Sequence, residues 1–116
     1  MRTEKRLIDA LFPLGLPVQN GVYSGGREAH FVFVINTVPT NFADDAPQCE
    51  LHLIAVHLYA PPEQDVTALI DSAKAALVQA GFDYPEITNA SDAEWHHTVL
   101  ETQCVEGVCG YGGNAV

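Results

Sequence analysis

Basic residues are scarce in this sequence of 116 residues, which has five lysines and arginines against fifteen aspartates and glutamates, a formal net charge of −10. Three of the five basic side chains, Arg2, Lys5 and Arg6, stand close together near the beginning of the sequence, which leaves Arg27 and Lys74 for the rest of the chain. Proteins that grip nucleic acid neutralise phosphate with clusters of Lys and Arg, and an acidic surface repels it. The charge balance therefore disfavours a protein that binds nucleic acid tightly.

Long hydrophobic runs are also missing. No stretch approaches the roughly 18 apolar residues that a membrane-spanning helix needs, and the first residues lack the apolar core of a signal peptide. We therefore expect a protein that is made and kept in the cytosol and that has no membrane partner.

Cysteine is rare, and its pattern is not that of a zinc site or a secreted scaffold. The three cysteines are Cys49, Cys104 and Cys109. An odd number does not suit the paired cysteines of a small secreted protein, and the spacing of the last two is wider than that of a zinc-binding pair. We expect thiols in a reducing compartment.

Patterns typical of catalysis or metal binding are absent as well. The histidines at positions 30, 52, 57, 96 and 97 form no HExxH and no paired Cys and His motif. His96 and His97 are adjacent on a predicted strand and point to opposite faces, as His52 and His57 do on another. Strand pairing is able to bring together a cross-strand pair such as His57 with His97, which is weak evidence for a metal site. We predict no catalytic residue, no bound metal and no cofactor, and therefore a protein that is not an enzyme.

The hydrophobic content is what a folded domain requires. Hydrophobic residues make up 47% of the chain and charged residues 17%, so the chain is able to bury a core. The length suits one domain, which we place at 1–106. The segment 107–116 is rich in glycine and is predicted to be a flexible tail.

Hydrophobic periodicity predicts two helices and four strands. Apolar residues recur at helical spacing in the two helical segments, and aromatic or β-branched residues dominate the strands. Gly81 is predicted to end the second helix in the left-handed conformation. The predicted elements are a helix over 3–12, turns over 15–26, a strand over 30–38, a loop over 39–48, a strand over 49–59, a helix over 64–80, and strands over 86–90 and 95–106. This order indicates an α+β domain, in which both helices pack on one face of a mainly antiparallel four-stranded sheet.

The first two strands are apolar on both faces, which two helices on one side of the sheet do not explain. The uncovered face then needs a partner, either a second sheet or another subunit. We therefore predict an oligomer. The candidate residues of an inter-subunit strand surface are Phe31, Phe33, Leu51, Leu53, His57 and Tyr59.

A series of short segments, in this order and spacing, resembles the tail terminator or tail completion proteins of long-tailed bacteriophages and prophages. The similarity covers about residues 5–107. Its segments are Leu11-Phe12-Pro13, Pro17-Val18, Tyr23-Ser24-Gly25, His30–Phe33, Ala43-Asp44-Asp45, Leu51–Pro61, Gly81-Phe82, Pro85–Thr88 and Glu94–Gly107.

The resemblance implies a structural virion protein. Such proteins have an α+β fold and form a ring, commonly hexameric, on the end of the tail tube, where they stop polymerisation and present a docking surface for the head. The implied partners are other copies of the chain, the tail tube protein and the head-tail connector proteins. The implied location is the neck of a virion that is assembled in the bacterial cytoplasm.

The polar loop between the first two strands is the segment that the resemblance assigns to the ring lumen or to inter-subunit contacts. Its candidate residues are Asn41, Phe42, Asp44 and Asp45. An acidic lumen would let DNA pass through without specific binding, since it offers phosphate no Lys or Arg contacts. Two alternatives remain: another neck component, such as a head-completion or adaptor protein, and a cytosolic α+β oligomer that binds a small ligand or a metal.

Overall fold

The structure, a computed structural model, describes residues 2–43 and 46–107, without the side chains of 39–48 and 107. It confirms the α+β fold, with an N-terminal helix, a mixed sheet and a second helix. The elements in chain order are α1 (Arg2–Leu11), a 3-10 turn (Phe12–Leu14), β1 (Val18–Asn20), β2 (His30–Ala43), β3 (Ala46–Ala60), α2 (Thr67–Gln79), β4 (Glu86–Asn89) and β5 (His96–Gly107).

The sheet has five strands in the part of the chain that is described, in the order β1-β2-β3-β5-β4. β1 pairs with β2 in parallel, and the other neighbours are antiparallel. β1 is the strand that sequence reasoning missed, because its three residues are too few to show a periodicity and turn-forming residues flank it. Backbone bonds fix its ends: the Phe31 amide donates to the Pro17 carbonyl at 2.8 Å, and the Gly21 amide to the Phe33 carbonyl at 2.9 Å.

The hairpin between β2 and β3 is longer than predicted. Its ladder continues through Pro39 opposite Glu50 to Ala43 opposite Ala46, so the prediction of a loop over 39–48 is wrong for most of that segment. Prolines there disfavour a central strand, but in the part of the chain that is described β1 pairs with residues 31–33 of β2 and with none near Pro39. Proline is tolerated on a strand edge that has no such neighbour.

The core lies between the two helices and one face of the sheet. Leu7 and Leu11 of α1 and Leu77 of α2 are fully buried. They pack with side chains of the central strands in one cluster. The buried strand residues of that cluster are Phe31, Phe33, Ile54, Val56, Leu58, Ala60, Leu100 and Cys104. The prediction that both helices pack on one face of the sheet is therefore confirmed.

The end of α2 is held by a glycine and by an arginine from α1. Gly81 has a φ of 95°, the left-handed conformation that the sequence predicted, and Phe82 packs back into the core at 4% exposure. Arg6 Nη2 donates to the Ala80 carbonyl at 2.8 Å, and its guanidinium lies 4.6 Å from the centre of the Phe82 ring. A charged donor at the last carbonyls suits the helix dipole and connects the two helices.

Candidate functional site

The sheet face opposite the helices is the candidate site, and we call it the open face. Residues directly opposite each other in an antiparallel ladder lie on the same face, so the register assigns its members. From one end to the other, its rows across β2, β3 and β5 are His30, Tyr59 and His97; Val32, His57 and Val99; Val34, Ala55 and Glu101; Asn36, Leu53 and Gln103; Val38, Leu51 and Val105.

This assignment corrects two residues of the predicted subunit surface. Phe31 lies opposite Leu58 and Phe33 opposite Val56, and both phenylalanines are fully buried under the helices. They therefore belong to the core and not to an exposed surface. The other four candidates, Leu51, Leu53, His57 and Tyr59, do lie together on the open face.

The far end of the open face carries an exposed apolar patch. Val34, Val38, Leu53 and Val105 are between 36% and 43% exposed, and Leu51 is half-buried among them. Along a strand that has one face against the core, the side chains on the other face are usually polar when they are this exposed. Their apolar character at this position makes the patch a candidate interaction surface.

An acidic groove borders the apolar patch. Glu86 of β4 lies directly opposite Glu101 of β5, and Asp83 joins them in lining a cavity of about 490 Å³. Asn36 and Leu53 form part of the same wall. Because three carboxylates lie together there, this flank of the open face carries a concentrated negative potential, and the two glutamates that face each other across the ladder repel.

The near end of the open face holds a stack of aromatic and histidine rings, which we call the ring stack: Tyr23, His30, His57, Tyr59, Trp95 and His97. The centres of Tyr23 and His30 are 3.6 Å apart and those of Tyr59 and His97 4.2 Å apart, both in stacked geometry. Trp95 meets Tyr59 edge-on at 5.8 Å. His30 is 4% exposed, and its Nδ1 donates to the Glu28 carbonyl at 2.8 Å.

His57 and His97 meet at the edge of the ring stack, as the sequence predicted. Their Nδ1 and Nε2 atoms are 2.8 Å apart, so one nitrogen donates to the other. Burial lowers the pKa of both rings below the ordinary 6.5; the charge of Glu101 opposes this for His57. For His97 the positive charge of His57 lowers the pKa further, while Asp92 opposes. Folding therefore favours the neutral form of both rings.

We expect this pair to make stability fall on acidification. A histidine whose pKa is lowered by folding binds protons more readily in the unfolded chain, so its contribution is present above pH 6.5 and decreases as the pH falls below it. Urea midpoints measured from pH 8 to pH 5 should therefore decrease below about pH 6.5. The slope should be smaller in His57→Gln and unchanged in His96→Gln, whose ring is on the opposite face of β5. Equal slopes in all three proteins would contradict this assignment.

A second polar group is buried on the helix side of the sheet, around His52. His52 is 1% exposed, with Nδ1 2.8 Å from Thr37 Oγ1. Its Nε2 is 3.2 Å from Glu106 Oε1. Thr3 of α1 donates to the same carboxylate. That hydrogen bond, followed by the charge of His52, lowers the pKa of Glu106.

The cysteines differ from the sequence expectation. Cys49 is disulfide-bonded, so the expectation of reduced thiols is wrong for it; an odd count allows one pair beside a single thiol. Cys104 is free and buried and lies directly opposite His52 in the ladder. Sequence reasoning placed no histidine beside Cys104, because only the register brings the two together. Both nitrogens of His52 face other groups, so it does not serve as a base for the thiol.

The predicted lumen residues are only partly described. Asn41 and Phe42 belong to β2 by their backbone, and Asp44 and Asp45 lie outside the described residues, as does the predicted tail beyond Gly107. Among the residues that the structure does describe, no three or more His, Cys, Asp or Glu side chains group as metal ligands. None of the helices described there is long and apolar enough to span a membrane.

Comparison with known proteins shows the fold and goes no further. No protein-family model matches the chain, and no curated protein is similar to it at a significant level. One solved structure, of a protein whose name states no function, is similar with a TM-score of 0.62 and 14% sequence identity. The similarity covers 90% of this chain and 89% of that one. At this identity the likeness carries the architecture alone, because one fold serves many functions.

Proposed function

We propose that this chain is a tail terminator, or tail completion, protein of a long-tailed bacteriophage or prophage. Copies associate through the open face into a ring, hexameric by the resemblance, that caps the tail tube and receives the head. The observation that carries the proposal is the exposed apolar patch on the helix-free face, around Leu53. A domain whose one face is covered by helices and whose other face stays apolar is suited to assembly with further subunits.

The charge distribution supports the same function. A neck ring must let DNA pass, and the chain carries a net charge of −10. The groove formed by Glu86, Glu101 and Asp83 adds negative potential beside the apolar patch. Because phosphate is held by Lys and Arg contacts with release of counterions, a channel lined by carboxylates does not retain DNA.

The shape of the sheet supports assembly into a closed ring. Among the described residues, β1 and β4 form its two edges, and the paired strands β2 and β3 continue past the last residue with which β1 pairs. A ring needs two different surfaces on each copy, one of which meets the other on the next copy. The apolar patch is suited to supply one of them, and the β2–β3 hairpin the other.

The proposal is tested by measuring the mass of the purified protein with and without assembled tail tubes, by mass photometry and electron microscopy. We expect rings, or binding restricted to one end of each tube, and tubes of fixed length when the protein is present during polymerisation. Binding to head connectors and not to tubes would assign the chain to another neck component. A stable dimer that ignores both would contradict the proposal.

A further inference from the structure

The meeting of His57 and His97 has a chemical use that ring assembly does not require. The two rings come from β3 and β5 and present one nitrogen each to the same point on the open face, 2.8 Å apart. Both side chains are half-buried, so part of the pair is exposed to solvent. Neutral imidazole is the commonest protein ligand of transition metals.

We propose that His57 and His97 together form a binding site for a divalent transition-metal ion, with Cu²⁺ held more tightly than Zn²⁺. The preference follows the general order of stability of divalent complexes with nitrogen ligands. The site does not depend on the proposed ring function, since it is built within one copy of the chain.

The separation of the two nitrogens is close to what one metal ion demands. With metal–nitrogen bonds of about 2.0–2.1 Å, two cis imidazoles have their nitrogens about 2.9 Å apart at a right angle and about 3.3 Å apart at the tetrahedral angle. The observed distance of 2.8 Å therefore has to widen by only a few tenths of an ångström. An arriving ion replaces the hydrogen bond between the rings: the ring that donates moves its proton to its other nitrogen, so that both neutral imidazoles turn a lone pair to the metal and no net proton is released.

The rings are held in place by their neighbours, which reduces the entropy lost on binding. Tyr59 is stacked on His97 at 4.2 Å and lies nearly parallel to His57 at 6.1 Å. Trp95 closes the other side of Tyr59 by an edge contact. Imidazoles that are oriented before the ion arrives bind it more tightly than the same groups on mobile segments.

The electrostatic surroundings favour a cation. The negative charge of Glu101 interacts with His57, and that of Asp92 with His97.

Two ligands leave the coordination of the ion incomplete. Because the described residues contain no group of three or more ligand side chains, the other positions are filled by water or by groups of another molecule. The site is therefore an open one of moderate affinity, accessible to chelators, and its occupancy responds to the free metal concentration.

The experiment is a calorimetric titration of the full, untagged chain with Cu²⁺ and with Zn²⁺, with Mg²⁺ as a cation that prefers oxygen ligands. We expect one Cu²⁺ per chain, weaker binding of Zn²⁺ and no binding of Mg²⁺. The variants His57→Gln and His97→Gln should each weaken Cu²⁺ binding by about tenfold or more, because one ligand is lost. His96→Gln is the matched control, since it removes the adjacent histidine on the opposite face, and should leave affinity unchanged.

A spectroscopic measurement on the unsubstituted protein covers the case in which a variant fails to fold. Electron spin echo envelope modulation of the Cu²⁺-loaded chain counts coordinated imidazoles, and we expect two per ion. One imidazole per ion, equal binding in His97→Gln and His96→Gln, or no Cu²⁺ binding in the unsubstituted chain would overturn the proposal. Loss of ring assembly with Cu²⁺ binding intact would count against the terminator function alone.

Discussion

Replacement of Phe33 by alanine is expected to lower the free energy of unfolding by about 3–5 kcal/mol, the usual cost of removing a buried aromatic side chain. Phe33 is fully buried and lies opposite Val56 in the ladder, in the same row as Leu100. Its removal takes apolar surface from the core and leaves a cavity between the sheet and the helices. Domains of this size have about 5–15 kcal/mol of stability in total, so the variant should be close to unfolding at 37 °C.

The matched control is the same substitution at Phe12, which is 71% exposed. Phe12→Ala should change the free energy of unfolding by less than about 1 kcal/mol, because its ring is already in contact with water. Urea denaturation followed by circular dichroism measures both variants, at two protein concentrations so that any contribution of association is separated. Equal losses at Phe33 and Phe12 would contradict the division of the sheet into a core face and an open face.

That division is the part of the fold that the sequence did not determine. The sequence shows correctly that β2 and β3 are apolar on both faces, but alternation along a strand says nothing about its register with the next strand. The apolar pattern of the strands alone predicts that Phe31 and Phe33 share a surface with Leu51 and Leu53. A shift of the pairing by one residue moves every side chain to the other face, and in the structure Phe31 lies opposite Leu58.

Local signals were more informative than long-range ones. The end of α2 at Gly81 was predictable because a left-handed residue and the hydrophobic contact after it lie next to each other in the chain. β1 was not predictable from its own residues, since it exists through parallel pairing with Phe31–Phe33. Tertiary pairing of this kind overrides the turn propensity of the segment that surrounds it.

The residues of the candidate site also differ in how far the sequence predicted their positions. The meeting of His57 with His97 was foreseen, because strand parity leaves few histidine pairs that share a face. The stacking of Tyr23 on His30 and the position of Trp95 were missed, since they depend on where the loops cross the end of the sheet. The usable signal was the presence of aromatic and histidine residues at the ends of three neighbouring strands, where a register prediction would have brought them together.

Introduction of a charge at Leu53 is expected to abolish the proposed ring assembly while leaving the fold of the chain intact. Leu53 is 41% exposed and lies within the apolar patch, between Asn36 and Gln103 in its row. In the free subunit an aspartate there remains hydrated. In a ring, its carboxylate would lose water without gaining a partner. An unpaired buried charge costs several kcal/mol at each interface, which weakens the affinity between subunits by about 100-fold or more.

The matched control for Leu53→Asp is Phe12→Asp, which adds the same charge at an exposed apolar residue outside the open face. Leu53→Asp should remain monomeric and fail to bind tube ends by mass photometry, whereas Phe12→Asp should assemble as the unsubstituted chain does. Leu53→Lys, of opposite sign, should behave like Leu53→Asp, because the cause is desolvation of a charge and not repulsion within an acidic protein. Circular dichroism confirms that each variant is folded. Rings formed by Leu53→Asp, or rings lost only in Phe12→Asp, would place the subunit interface on another surface of the molecule.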